Sequence, residues 1–257
     1  MNLDDRMKHY ERSVGHQLTL RCPAVVRIDG RAFHTFTKPF KRPYDGIFRS
    51  LMVKTAQHLC EKISTARFAY GQSDEISILL IDYAGFETDQ FFGGKVQKLV
   101  SVIASEATVA FNKALWEVVN SPVPAFADVV ESLKKSLFQA TFDARIFSVP
   151  ERDAGNYFIW RQQDAIRNSI QSLGQAHFSH KKLHRKSADD IKAMLEEKSK
   201  AENRLFVPWD EQLDDFKYGF TVQYFDSVDA RAGWVHAPAT VFDNGFFCQM
   251  LEPEDPK

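Results

Sequence analysis

The stretch FAYGQSDEISILL, Phe68–Leu80, decides the reading of the fold. Apolar residues recur with the period of two that a strand requires, and GQSD interrupts them, so residues 66 to 82 read as strand, tight turn and strand. Two adjacent acids, Asp74 and Glu75, stand at the tip. Ser-Asp is also ordinary turn chemistry, so these acids gain meaning only from what the rest of the chain brings to them.

Upstream, PAVVRIDG (Pro23–Gly30) is a β-branched run that stops at an Asp-Gly pair, a buried strand with Asp29 at its end. Between them, Ile47, Phe48, Leu51, Met52, Leu59 and Ile63 keep helical spacing and predict an amphipathic helix over about 45–63. Downstream, the apolar series from Val96 to Val118 predicts a long core helix over 95–119. FQATFDARIFSVP (Phe138–Pro150) alternates as a strand that Pro150 stops. The order β-α-β-β-α-β is the ferredoxin-like split arrangement, an α+β fold with an antiparallel sheet and helices on one face.

Beyond Pro150 the character changes, which divides the chain into a core, 1–150, and a C-terminal region, 151–257. NYFIWRQQDAIRNSIQSLG reads as a helix closed by Gly174 as its C-cap. SADDIKAMLEEK is a helix with Ser187 as N-cap and acids in its first turn. Residues 217–250, around Gly219, Gly233 and Gly245, alternate and suggest small strands that pack back on the core.

The 257 residues are 44% hydrophobic, and 33 Lys and Arg against 34 Asp and Glu leave a net charge of -1. No global field draws the chain to nucleic acid or to a membrane, so any such contact needs a local patch. HFSHKKLHRK (His177–Lys186) is one, with Lys181, Lys182, Arg185 and Lys186 and no acid. Its histidines, 177, 180 and 184, lack a Cys or Glu in ligand register, and zinc is not expected there. Three widely spaced cysteines suggest no disulfide framework. The charged N-terminus reads as a polar helix without a signal-peptide core, and no apolar run reaches 18 residues, so a cytoplasmic protein is expected.

In this topology the first strand and the hairpin are neighbours, so Asp29 and Asp74 are expected to face each other. Two carboxylates about 4 Å apart repel by roughly 4 kcal/mol at an effective dielectric near 20, a cost that a divalent cation relieves. Hard oxygen ligands with no cysteine nearby favour Mg²⁺, and a pair of such ions suits phosphoryl or nucleotidyl transfer. Glu75 points away from Asp74 along the strand and is expected to anchor the hairpin through a pair of its own. The N–H groups after Gly30, with Arg31, Lys38, Lys41 and Arg42, offer phosphate contacts, as do Lys95 and Lys98 at i and i+3.

VVRIDGRAFHTF, FAYGQSDEIS and WRQQDAIRNSIQ, in this order and spacing, resemble the tRNA-His guanylyltransferase family, and more closely its guanylyltransferase-like branch of 3′-to-5′ polymerases. The resemblance implies a polymerase-palm core, two Mg²⁺ ions, ATP and GTP or other nucleoside triphosphates as substrates, and nucleotide addition at the 5′ end of tRNA. It implies a catalytic set of Asp29, Asp74 and Glu75, with Mg²⁺ on Asp29, the Gly30 carbonyl and Asp74. The nucleotide would lie on Asp29, Gly30, Arg31, Ala32, Phe33, His34, Ser73 and Asp74, with Arg42, Lys95 and Lys98 on the triphosphate. Gly71 and Ser73 would leave room for phosphate.

Arg145, Arg167 and Asn168 would meet the tRNA end, with Lys181, Lys182 and Arg185 on its phosphates. A dimer or tetramer is implied as well. Where eukaryotic members carry a His-containing, Asn-rich motif, this chain has Ile166 and Arg167, the form associated with template-dependent 5′-end repair. Two other readings stand beside it: a palm-type nucleotide cyclase, since GQSDE resembles a diguanylate cyclase signature, and a non-catalytic tRNA-binding protein.

Overall fold

The structure is a computed structural model that describes residues 1–121, 127–202, 214–226 and 232–252. In chain order the elements are α1 (Leu3–Arg12), β1 (Ala24–Gly30), α2 (Phe33–Phe36), α3 (Gly46–Lys62), β2 (Ala66–Gln72), β3 (Glu75–Leu80) and, after a 3-10 turn at Phe91–Gly94, α4 (Val96–Val119). There follow α5 (Ala127–Lys134), β4 (Phe142–Ser148), α6 (Glu151–His177), α7 (His180–Leu183), α8 (Ala188–Glu202), α9 (Asp214–Tyr218), β5 (Phe220–Phe225), β6 (Gly233–Pro238) and α10 (Asn244–Leu251). The described strands form one antiparallel sheet in the order β4-β1-β3-β2-β5-β6.

Period-two alternation sends the strands' side chains to two faces. One face, with Val26, Ile28, Ile76 and Ile78, packs on α3 and α4, and the rings of Phe33, Phe48, Phe111 and Phe142 meet there. The other face presents Val25, Phe68, Tyr70 and Leu79 to Ala154, Phe158 and Ala165 of α6 and to Phe247 of α10. Four rings, Phe158, Phe242, Phe246 and Phe247, meet Phe68 edge-on at centroid distances of 5.2 to 5.9 Å. Helices α3 and α4 thus lie on one face, and the chain after Pro150 covers the second.

Three local expectations change. Gly174 is not a C-cap: α6 continues to His177, and a Cβ on Gly174 would stand 2.7 Å from Ile191 Cγ2 of α8. Glycine is there so that α6 and α8 can approach closely. Gly71 likewise makes room for the Phe220 ring of β5, with which a Cβ would collide, and not for a phosphate. Residues 244–251 are helical instead of extended, because Asp243 caps the turn by accepting the Phe246 N–H at 2.9 Å. The expected N-cap at Ser187 is present, its hydroxyl accepting from Asp190 N–H, and Asp190 completes a capping box by accepting from Ser187 N–H.

Candidate active site

Strand register builds the site. On the α6 face, Asp143 of β4, Asp29 of β1, Glu75 of β3 and Gln72 of β2 stand directly across from one another in one row. The next row is Arg145, Arg27, Ser77 and Tyr70. An acidic row therefore lies beside a basic pair at the end of the central strands. Asp74 follows Ser73 in the two-residue turn, and its carbonyl accepts the Gly30 N–H at 3.1 Å, which ties the hairpin tip to the end of β1. Ser73 adopts a left-handed φ of 50°, and its hydroxyl donates to Asp74 Oδ1 at 3.0 Å.

Burial, and then the charge of Asp29, pushes the Asp74 carboxyl above the usual carboxylate range. Asp29 is also raised, by burial and by Asp143, against the lowering pull of Arg27, Arg145 and Arg161. Glu75 is raised by burial although it is paired: Arg161 of α6 forks onto it, Nε to Oε1 and Nη2 to Oε2, both at 2.7 Å. Its carboxylate is thus engaged by α6, with Arg27 Nε 4.0 Å away. Asp164 accepts from both Arg161 and Arg167, at 3.1 and 2.7 Å.

Among the described residues no group of three or more His, Cys, Asp or Glu is placed to hold a metal ion. A Mg²⁺ ion needs only one or two carboxylates and fills its remaining positions with water and phosphate, so two crowded carboxylates with a nearby carbonyl fit it. Of the loop's N–H groups, those of Gly30 and Arg31 are spent on Asp74 O and Thr141 O, the latter because β4 pairs alongside. Among the described residues no acceptor meets the N–H groups of Ala32, Phe33 and His34, and Ala32 is left-handed at φ 57°. Gly30 is required by the Phe33 ring, which a Cβ would strike.

A cavity of about 390 Å³ opens beside Ser73, walled by His34, Arg42, Tyr44, Phe48, Asn168 and Phe216 among others. The structure thus brings Asp29, Gly30, His34, Arg42, Ser73, Asp74 and Asn168 to one end of the sheet. Arg145 joins them from β4 and Arg167 from the exposed flank of α6. Lys181, Lys182 and Arg185 are exposed at and after α7.

Lys95 and Lys98 are not brought to the acids within one chain. Gly94 O and the Val96 N–H bond to Leu18 and His16, and Leu99 packs by Ala24, at the opposite end of β1, about 17 Å along the strand from Asp29. Lys98 Nζ lies 4.5 Å from the Phe92 ring centroid. Asp143 and Arg161 carry no signal of their own in the sequence. An acid in FDARIF looks like the solvent side of any strand, and only the register against RIDG makes it a neighbour of Asp29.

An antiparallel sheet with acids at the tips of its central strands, beside a cavity large enough for a small-molecule ligand, is the layout of a palm-type nucleotidyltransferase. The family model described as tRNAHis guanylyltransferase matches residues 4–150, more than half of the sequence, and the chain belongs to that family. A human protein named probable tRNA(His) guanylyltransferase is 30% identical over 152 residues, 58% of this chain and 45% of its own length, so the chain spans less than half of that relative. A bacterial tRNA(His) guanylyltransferase-like protein solved with ATP superposes with a TM-score of 0.83 at 33% identity, covering 98% of this chain and 99% of that one. A bacterial structure of the same description with GTP gives 0.75 at 30% identity, covering 97% and 98%.

Proposed function

We propose that the protein adds nucleotides to the 5′ end of tRNA in the 3′-to-5′ direction, as a template-dependent repair enzyme. The observation that carries this reading is that Asp74, tied through its carbonyl to Gly30 and close enough to Asp29 for its carboxyl to be pushed up by that charge, adjoins Ser73 of the cavity wall. The ATP and GTP complexes of the bacterial relatives and the tRNA(His) in the relatives' names support the substrates.

Asp29, Asp74 and the Gly30 carbonyl would hold Mg²⁺, two ions in all, which when bound supply charge neutralisation for phosphates and activation of a hydroxyl. The free N–H groups of Ala32, Phe33 and His34, with Arg42, orient a triphosphate, and Arg145, Arg167 and Asn168 hold the tRNA end. For a monophosphorylated tRNA, a 5′-phosphate oxygen attacks the α-phosphorus of ATP or GTP and pyrophosphate leaves. The 3′-hydroxyl of an incoming nucleotide then attacks the capped 5′-phosphorus, AMP or GMP leaves, and the hydroxyl proton passes to solvent. Glu75 and Arg161 keep the hairpin tip in register with α6.

Ile166 supports repair over histidine-tRNA maturation, since it is half-buried against the α6–α8 cluster and offers no polar group to read a base. In this reading residues 1–150 are the catalytic palm and 151–257 the tRNA-contacting region, in a cytoplasmic dimer or tetramer. Lys95 and Lys98 then meet a triphosphate only on another subunit.

The test is incubation with Mg²⁺, ATP, labelled GTP and tRNAs lacking the 5′ nucleotide, followed by mapping of the end that grows. Growth at the 5′ end, templated by the opposite strand and abolished by Asp29→Asn and by Asp74→Asn, is expected. Growth at the 3′ end, no growth with any tRNA, or a cyclic dinucleotide made from GTP alone refutes it.

A further inference from the structure

The flank of α6 beside the acid row carries one large ring that the mechanism above does not use. Trp160 is 48% exposed, and its indole N–H has no hydrogen-bond partner among the described residues. It is not loosely placed: the Arg161 guanidinium lies 4.6 Å from the ring centroid, and Tyr157 meets it edge-on at 5.8 Å. The same Arg161 forks onto Glu75, which stands across from Asp29. The ring is therefore one side chain removed from the acid row.

Trp160, Asp164 and Arg167 fall at i, i+4 and i+7, a single stripe of the helix, with Arg145 on the neighbouring strand. Asp164 lies between the ring and Arg167 and pairs with both Arg161 and Arg167, so the stripe offers an exposed stacking surface beside guanidinium groups that one acid holds in place, a combination that suits a nucleobase and its phosphate. A protein partner would favour apolar neighbours around the indole, whereas toward the C-terminus of this stripe they are charged.

We propose that Trp160 is a stacking platform for the nucleobase at the 5′ end of the tRNA being extended. This rests on the function proposed above. Stacking accepts every base, as it must where template pairing makes the choice.

The experiment places 2-aminopurine at the 5′-terminal position of the tRNA and follows its fluorescence on binding to the full chain. Quenching is expected with the wild type and with Trp160→Phe. Trp160→Leu, which keeps apolar bulk without a π face, is expected to lose the quenching and to bind tRNA roughly tenfold more weakly, the scale of one lost stack, with the KM for ATP unchanged. Wild-type binding without quenching overturns the inference alone, as does a Trp160→Leu variant that quenches and binds like the wild type. Failure of the wild type to bind any tRNA overturns the functional reading and this inference with it.

Discussion

Neighbouring acids at this end of the sheet have opposite consequences for stability. Burial is the largest cause of the raised carboxyls of Asp29, Asp74 and Glu75, but only Glu75 has a guanidinium forked onto it. A folded pKa above the unfolded value means that the native state binds the proton better. That contribution is complete below the unfolded carboxylate range near pH 4 and is lost as the pH rises through the raised folded values. In Mg²⁺-free buffer at pH 7, Asp29→Asn and Asp74→Asn are therefore expected to raise the melting temperature. With about 0.2–1 kcal/mol per relieved like-charge pair, the rise is up to about 4 °C, and it shrinks as the pH falls. Glu75→Gln removes one partner of a buried fork and leaves the Arg161 guanidinium to Asp164 alone, a loss of up to about 3–5 kcal/mol and on the order of 10 °C. Calorimetry at several pH values checks both, and a destabilised Asp29→Asn would remove the electrostatic account. Sequence made Asp29 and Asp74 legible because each stands where a strand meets a turn residue. Asp143 was not legible, because partners across a sheet leave no local trace.

At the scale of elements, the hairpin, the long α4 and the capped α8 were readable because each carries its own period and punctuation. Gly174 was misread because a glycine near the end of an apolar series signals a C-cap and a close helix crossing alike. The structure separates the two. Gly174→Ala would gain about 1 kcal/mol in helix propensity, but its Cβ meets Ile191 Cγ2 at 2.7 Å, and overpacking costs about 1–3 kcal/mol. A net loss of stability is expected from chemical denaturation. Ile191→Leu, which lacks the branched methyl, is expected to restore part of it in the double variant, as a crossing contact requires and a C-cap does not. Residues 244–251 misled for a related reason: GFFCQML is too short for either period to show, and the Asp243 cap decides it.

At the scale of the whole molecule, the family match ends at residue 150 but the folding unit does not. Val25, Phe68, Tyr70, Leu79 and Ile81 line the sheet face that α6 and α10 cover. Exposing five such side chains forfeits about 1.5–3 kcal/mol each, roughly 8–15 kcal/mol, as large as the net stability of a typical domain. Strand β2 would also lose β5 as its partner and become an open edge, and Glu75 would be left buried without Arg161. A fragment ending at Pro150 is therefore expected to show no cooperative melting transition, to bind hydrophobic dyes and to add no nucleotide, even though it contains Asp29, Gly30 and Asp74. Scanning calorimetry and dye fluorescence of the fragment beside the full chain decide the matter. A sharp transition in the fragment would mean that the palm is a self-sufficient domain, with α6 only an attachment. Its absence would mean that the acid row exists only when the C-terminal region is folded onto the sheet, so α6, with Arg161 on Glu75 and Asn168 in the cavity wall, is both wall and structural support of one site.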